Sequence, residues 1–204
     1  MSLESAPAEP SRRGRLLDDA LAIRALAHPL RLSLLAALGR AGRLTTADAA
    51  RELEISHGLA SHHLRQLAKY GFVEQVAGKD NRERPWRAVE ESLHWPDSQS
   101  TPEAAAATDV LEQVIVERVL EGFLHWQQER GSWPTEWLDG SGIGTTTVYL
   151  TAGELAAVTA EFEAMIRRYT DARPIDDVTA RPAGSAPVDI AYFAVPTAPA
   201  PARA

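Results

Sequence analysis

The sequence contains no cysteine, so disulfide bonds and thiolate metal sites are excluded. It also has no apolar run approaching the roughly 20 residues that a helix needs to cross a bilayer. The first residues lack the apolar run of a signal peptide. We therefore expect a soluble, cytoplasmic protein.

An overall surplus of cations is missing as well, since the net charge is −7, and this argues at first sight against a nucleic-acid partner. The charges are nevertheless segregated along the chain. Residues 20–90 hold 11 Lys and Arg against 7 Asp and Glu, whereas residues 91–204 hold 7 against 17. A basic first part followed by an acidic second part fits a DNA reader joined to a domain with another role.

The most informative stretch of the basic part runs from Ile55 to Gly71 and has the pattern of an amphipathic helix. Ser56 is a good N-cap, and Gly71 suits the left-handed conformation that ends a helix. One face is apolar, and the opposite face carries a hydroxyl, an imidazole and two cations, which suit base edges and phosphates. The apolar face holds Ala60, Leu64 and Leu67, and the polar face holds Ser61, His62, Arg65 and Lys69.

The neighbouring segments predict a winged helix-turn-helix domain over residues 18–90. Two short helices joined at His28-Pro29 precede a helix that starts near Thr45, and a short turn then leads into the helix after Ser56. Two strand-like segments, 72–77 and 83–89, enclose a polar, cationic tip and predict a β-hairpin wing. Residues 1–17 have little to bury and predict a disordered arm.

Several segments of this domain resemble ArsR-type bacterial transcriptional regulators. They are the run Leu26 to Leu32, the core Ser61-His62-His63-Leu64 and the closing run Lys69 to Val73. The resemblance implies a dimeric repressor that leaves a pseudo-palindromic operator in double-stranded DNA when an effector binds. Metal sensors of this family carry a Cys-x-Cys motif on the preceding helix, and the matching region here has none, so the resemblance does not extend to thiolate metal sensing.

The resemblance also indicates which residues of the helix face the bases, namely His57, Gly58, Ser61 and His62. Arg65 is placed for a phosphate, and His63 is expected to cover the domain surface. Solvated surface charge and docking of an acidic protein partner are the alternatives for the same residues. The full set of expected DNA contacts is Thr45, Thr46, Ser56, His57, Gly58, Ser61, His62, Arg65, Lys69, Lys79, Arg82 and Arg84.

The second half predicts a long helix and a small α+β domain over residues 91–196, before a Pro- and Ala-rich tail at 197–204. Thr101-Pro102-Glu103 starts a helix that continues to about Arg130 and that we expect to mediate dimerisation. A strand at Thr145–Leu150, a helix after the capping box at Thr151 and a strand at Val188–Val195 follow. The whole chain is therefore expected to be an α+β protein.

Aromatic residues of the second half suggest a pocket for an organic effector, although packing between elements is the commoner role of such residues. Glu121 and His125 have the i, i+4 spacing of metal ligands, but a solvated helix surface is the better reading, and we expect no metal. We also expect no cofactor and no enzymatic activity, since no catalytic set of residues is evident. The residues expected to line the effector pocket are Trp95, Phe123, Trp126, Trp133 and Trp137.

Overall fold

The computed structural model describes residues 15–78, 84–89, 93–95, 99–174 and 177–198, and within them the fold is α+β. Short strands accompany a mainly helical chain. The helices are α1 (Ala20–Leu26), α2 (Pro29–Ala41), α3 (Thr46–Glu52), α4 (His57–Lys69), α5 (Pro102–Glu129), α6 (Thr135–Asp139) and α7 (Ala152–Ala172). The strands are β1 (Arg15–Leu16), β2 (Val73–Gln75), β3 (Trp86–Ala88) and β4 (Leu93–His94).

The corner between α1 and α2 confirms the break predicted at His28-Pro29. The two helix axes are bent by 77°. His28 caps α2, because its Nδ1 accepts from Leu30 N at 3.2 Å, and Pro29 occupies the first turn, where no N–H partner is needed. Among the described helices none alone is long and apolar enough to cross a membrane, and only this bent pair meets the length and composition of a broken span.

Helices α3 and α4 form the predicted helix-turn-helix. Thr45 and Asp48 make a reciprocal capping box at the start of α3, and Ser56 Oγ accepts from Leu59 N at the start of α4. The turn between them places Glu54 at a φ of 53°, and Gly71 after α4 has a φ of 72°. These caps and the left-handed glycine confirm the helix ends expected from the sequence.

The stem of the wing is the antiparallel pair of β2 and β3, with Gln75 opposite Trp86. Leu44 adds a bridge at the other edge of Trp86, since each residue donates its N–H to the other's carbonyl. Trp86 Nε1 also donates to Thr46 Oγ1 at 3.1 Å, which ties the wing to the first turn of α3. The hairpin prediction is confirmed for this stem, whereas the expected tip, with Lys79 and Arg82, lies outside the described residues.

The end of the expected disordered arm is ordered. Arg15 and Leu16 pair in parallel with Leu93 and His94, so the prediction is wrong for residues 15–17. The physical reason is burial, because the Leu17 side chain is only 1% exposed and belongs to the core. The rest of the arm, residues 1–14, lies outside the described residues, as do residues 199–204 of the predicted tail.

The long helix α5 confirms the predicted span and changes character along its length. Thr101 caps it, and its first turns bury Ala104, Ala107 and Leu111 against the core that α1 shares. Beyond Ile115 the described residues of α5, α6 and α7 include no buried side chain. The helix therefore starts inside the core and leaves it halfway along.

The two strands predicted in the second half are not formed. Residues 145–150 and 188–195 have no β-ladder in the structure, although α7 between them confirms the predicted helix with its Thr151–Glu154 capping box. A strand needs a second backbone edge for its N–H and C=O groups, and the described part of the chain supplies none for these segments. Tyr149 is accordingly 100% exposed, and Tyr192 stacks on Phe162 of α7 with ring centroids 4.4 Å apart.

Candidate nucleic-acid interface

The expected DNA-reading face of α4 is accessible along its whole length. The opposite face is anchored, since Ala60, Leu64 and Leu67 are all 0% exposed in the core. The polar side chains consequently have a fixed direction relative to the domain. His57, Gly58, His62, Arg65 and Lys69 are exposed, and Ser61 is half-buried.

The two cations of this face remain available to a partner. Arg65 Nε donates to Ser61 O at 3.1 Å, which leans the guanidinium back along the helix. Lys69 Nζ lies 5.3 Å from the centroid of the Tyr70 ring. Neither cation makes an ion pair within the described part of the chain. Both can therefore approach phosphates without breaking a salt bridge.

The expected contacts at the starts of α3 and α4 already serve the fold. Thr45 Oγ1 lies 2.7 Å from Asp48 Oδ2, and this hydrogen bond, followed by the effect of Arg51, lowers the pKa of Asp48. Thr46 Oγ1 accepts from Trp86, and Ser56 Oγ accepts from Leu59 N. These hydroxyls hold helix ends and the wing, and their contact with DNA stays a prediction.

The structure corrects the expectation for His63, which is buried in the domain and only 6% exposed. Its ring centroid is 4.6 Å from that of His28 and 5.2 Å from that of His62, and its Nδ1 has no hydrogen-bond partner among the described residues. Burial, followed by the positive charges of His28, Arg31 and His62, lowers the pKa of His63. The sequence carried a sign of this placement, because His63 follows Ala60 by three residues and shares its helical face.

On the wing, the described cations behave differently from each other. Arg84 is exposed, whereas Arg87 donates across the hairpin to Glu74 with Nε–Oε1 at 2.8 Å. Arg87 thus stabilises the hairpin stem, and Arg84 is free to face the solvent. Lys79 and Arg82, the other two expected wing contacts, lie outside the described residues.

The expected effector residues are brought together in pairs and do not form one pocket. Phe123 and Trp126 have ring centroids 5.8 Å apart and line a cleft of about 410 Å³ with Arg130, Leu138 and Ile143. Trp133 and Trp137 meet edge to face with ring centroids 5.7 Å apart and are not among the residues that line this cleft. Trp95 instead lines a separate cavity of about 290 Å³ beside the winged domain.

The pair considered as metal ligands is not assembled as a site. His125 Nε2 lies 3.4 Å from Glu129 Oε2, so its near neighbour is the carboxylate one turn later on α5. In the described ranges, no group of three or more His, Asp or Glu side chains is placed to hold a metal ion.

A family model described as a helix-turn-helix domain matches residues 26–76, from the last residue of α1 to the residue after β2. No curated protein matches the sequence. The match and the geometry agree on the same helices. The chain therefore contains a winged helix-turn-helix domain, and these findings support a DNA-binding transcriptional regulator.

Solved structures with some likeness to 68–77% of the chain share little sequence identity with it. Wild-type apo MarR from E. coli is 17% identical, and its match spans 71% of this chain and 88% of the MarR chain with a TM-score of 0.30. A ZitR mutant from Lactococcus lactis is 15% identical with coverages of 68% and 74% and a TM-score of 0.28. The heme sensor PefR, in complex with heme and carbon monoxide, is 16% identical with coverages of 77% and 82% and a TM-score of 0.30. The assignment of a winged helix-turn-helix domain rests on the domain match and the local geometry.

Proposed function

We propose that this protein is a sequence-specific transcriptional regulator of the ArsR type, acting as a dimeric repressor that a small organic effector releases from a pseudo-palindromic operator. The observation that carries the proposal is the accessible polar face of α4, fixed by a fully buried opposite face and flanked by a wing. In this class of fold such a helix enters the major groove of DNA.

The first turns of α4 are the base-reading part. The side chains of His57, Ser61 and His62 reach base edges. Gly58 lets the backbone come close because it has no side chain, and the space beside its Cα is open in the structure. Leu59, a residue that the sequence reasoning passed over, is 42% exposed in the same turns and suits the methyl group of a thymine. The sequence indicated this exposure, because Leu59 does not lie on the helical face that holds Ala60, Leu64 and Leu67.

Phosphate contacts come from the periphery of this surface. Arg65 and Lys69 on α4 and Arg84 on the wing are the described cations that serve this role, with Lys79 and Arg82 of the wing tip as the further predicted ones. Thr45, Thr46 and Ser56 add short hydrogen-bonding side chains at the helix starts. These contacts position the domain, whereas the first turns of α4 select the sequence.

Dimerisation is proposed through the second half of α5 and the elements that follow it. Val116, Leu120 and Leu124 are each at least 45% exposed along that half of the helix. Burying such side chains against a second copy is favourable by about 25 cal/mol per Å² of apolar area. Two copies would present two α4 helices, as two half-sites of an operator require.

The test is selection of bound sequences from a random DNA pool, followed by binding measurements on three variants. Arg65→Ala should weaken binding to all sequences and reduce the salt slope by about 1, because one phosphate contact is lost. Ser61→Ala should blur the preference at one or two operator positions. Arg168→Ala, which removes an exposed cation of α7, is the matched control and should bind as the unaltered protein does.

The competing function is a winged-helix module that docks an acidic protein with the same face of α4. Pool selection that returns no enriched sequence would contradict the proposed regulator. If the Arg65→Ala and Ser61→Ala variants both bind DNA with the affinity and sequence preference of the unaltered protein, the assignment of α4 as the reading helix is overturned.

A further inference from the structure

A cavity of about 290 Å³ lies between α2, the base of the wing and α5, and we name it the α2–α5 groove. Its buried lining residues are Leu26, Phe72 and Leu111, none more than 3% exposed. Leu32, Leu35 and Ile115 line it as half-buried side chains. The groove thus combines a closed apolar base with apolar walls that the fold leaves partly uncovered.

One aromatic wall of this groove is held in place by a hydrogen bond. Trp95 Nε1 donates to Glu112 Oε1 on α5 at 2.9 Å. The bond satisfies the polar atom of the indole and fixes the ring, so that its apolar surface is presented to the groove. A preformed apolar cavity with a fixed aromatic wall is the usual form of a small-molecule site.

Arg118 is the single cation among the described lining residues. It is half-buried on α5, one turn beyond Ile115, and makes no ion pair with any described residue. Of the nearby acids, Glu117 accepts from Gln113 Nε2 at 2.9 Å and Glu121 is exposed. A guanidinium next to an apolar wall pairs well with a carboxylate, through two parallel N–H donors.

We propose that the α2–α5 groove binds a small organic monoanion, with an aromatic or branched aliphatic body against Leu32, Leu35 and Ile115 and its carboxylate on Arg118. The volume lies near the lower limit of about 300 Å³ for small-molecule sites, which restricts the body to one or two rings.

The aromatic cleft at Phe123 and Trp126 is a weaker host for such a ligand. It also has a cation, Arg130, but none of its lining residues is buried and Ile143 is 79% exposed. A ligand there would displace little water from a closed surface. We therefore place the effector site at the junction with the winged domain and not among the aromatic residues of the second half. Of the residues expected to line the effector pocket, Trp95 alone lines the α2–α5 groove.

The location links the groove to DNA binding, a step that rests on the proposed function. Gly71 and Phe72, which follow the C-cap residue Tyr70 of α4, and Ala88 of β3 line the groove together with α5. A ligand in it contacts both the base of the wing and the long helix. It lowers DNA affinity to the extent that it binds the DNA-free arrangement more tightly than the bound one.

The experiment uses the full-length protein and isothermal titration with naphthoate and its uncharged analogue naphthamide. Naphthoate should bind with one site per chain, and Arg118→Gln should weaken it at least about tenfold, since a charge-assisted hydrogen bond is lost. Arg118→Lys should retain part of the affinity. Naphthamide should bind more weakly than naphthoate and be unaffected by Arg118→Gln. Arg130→Gln is the matched control and should leave naphthoate binding unchanged.

Absence of saturable naphthoate binding, or a loss caused by Arg130→Gln and not by Arg118→Gln, would overturn the proposed site. A naphthoate affinity that falls as protein concentration rises would mean that a second copy of the chain fills the groove, and this too would overturn it. Ala36→Leu, which narrows the groove without touching Arg118, should reduce naphthoate binding, with the thermal midpoint as the check on folding. Naphthoate binding as expected, without any change in affinity for the selected DNA, would keep the site and contradict its role as the effector site.

Discussion

The two parts of this chain, residues 15–115 and 116–198, are both largely helical but differ in burial. All buried hydrophobic side chains of the described residues lie between Leu17 and Leu111. Beyond Ile115, apolar side chains such as Leu120, Tyr149 and Phe193 stay more than half exposed. The first part thus has its own core, whereas the second part has apolar residues without a core.

The difference separates what local sequence determines from what packing determines. Helix α7 has 21 residues and a reciprocal capping box, so its local helix signals are as strong as those of α4. None of its side chains is buried. Caps and periodicity are enough to specify a helix, but a core requires a partner surface. On the proposed function, a second copy of the chain supplies that surface.

The largest expected effect in this comparison is on folding of the first part. Leu64→Ala removes a fully buried side chain of α4 and should lower the free energy of unfolding by about 2–5 kcal/mol. Leu120→Ala makes the same chemical change at a site that is 54% exposed and should cost far less. Chemical denaturation followed by circular dichroism measures both, and equal losses would contradict the contrast between the two parts.

The next effect is on association. Leu120→Asp places a charge on the exposed apolar face of α5, where a proposed partner helix would have to desolvate it. We expect a shift from dimer to monomer in sedimentation equilibrium, with the first part still folded. Glu121→Asp, a neighbouring exposed and conservative change, is the control. A Leu120→Asp protein that remains fully dimeric would place the dimer interface elsewhere.

A smaller effect depends on pH and belongs to the first part alone. Burial and the neighbouring positive charges lower the pKa of His63, and burial with Arg31 lowers that of His28, from the ordinary 6.5. The unfolded chain therefore takes up more protons than the folded one as the pH falls below 6.5. The stability that these two histidines contribute is present above that pH and is lost as the pH falls toward their folded-state pKa values.

Thermal midpoints at a series of pH values test this linkage. The midpoint of the unaltered protein should drop on acidification from neutral pH to about pH 5.5. His63→Leu should flatten that drop, whereas His57→Gln, which removes an exposed histidine of the same helix, should not. An unchanged pH profile in the His63→Leu protein would show that His63 does not control it.

The smallest effect concerns the link between wing and helix-turn-helix. Thr46→Val removes the acceptor of the buried Trp86 N–H and should cost about 1–3 kcal/mol in stability, whereas Thr46→Ser should cost less because the hydroxyl remains. Comparing stability with DNA affinity in these variants separates the structural role of Thr46 from its predicted DNA contact. A loss of DNA affinity without a loss of stability would favour direct contact.

The first part was largely predictable because its decisive signals are local. The N-caps Thr45 and Ser56, the spacing of Ala60, Leu64 and Leu67, and Gly71 after the helix each act within a few residues. N-caps and apolar periodicity likewise predicted the long helix α5 and helix α7. The accessible polar face of α4 followed directly from that spacing, whereas its contacts with DNA remain predictions.

The features that sequence reasoning missed depend on distant partners. The strand at Arg15–Leu16 exists only because residues 93–94 lie beside it. Residues 145–150 have strand-forming composition but no second edge to pair with among the described residues. The burial of His63 depends on the corner before α2, where the His28 ring lies beside it. Trp95 lines a different cavity from Phe123 and Trp126, because its indole bonds to Glu112 of α5. Pairing and burial of this kind are not encoded within a short window of sequence.

The parallel pairing of β1 with β4 joins two segments that lie far apart in the sequence. Helices α3 and α4 can form from neighbouring residues. Arg15 can pair with its register partner Leu93 only after the intervening helices and wing have been synthesised. Leu17, which follows this pair, donates its N–H to His94 O at 2.9 Å and is buried in the core. Since long-range contacts form more slowly than local ones, we infer that during synthesis the helix-turn-helix is assembled first and the core is closed last, by the segment made first.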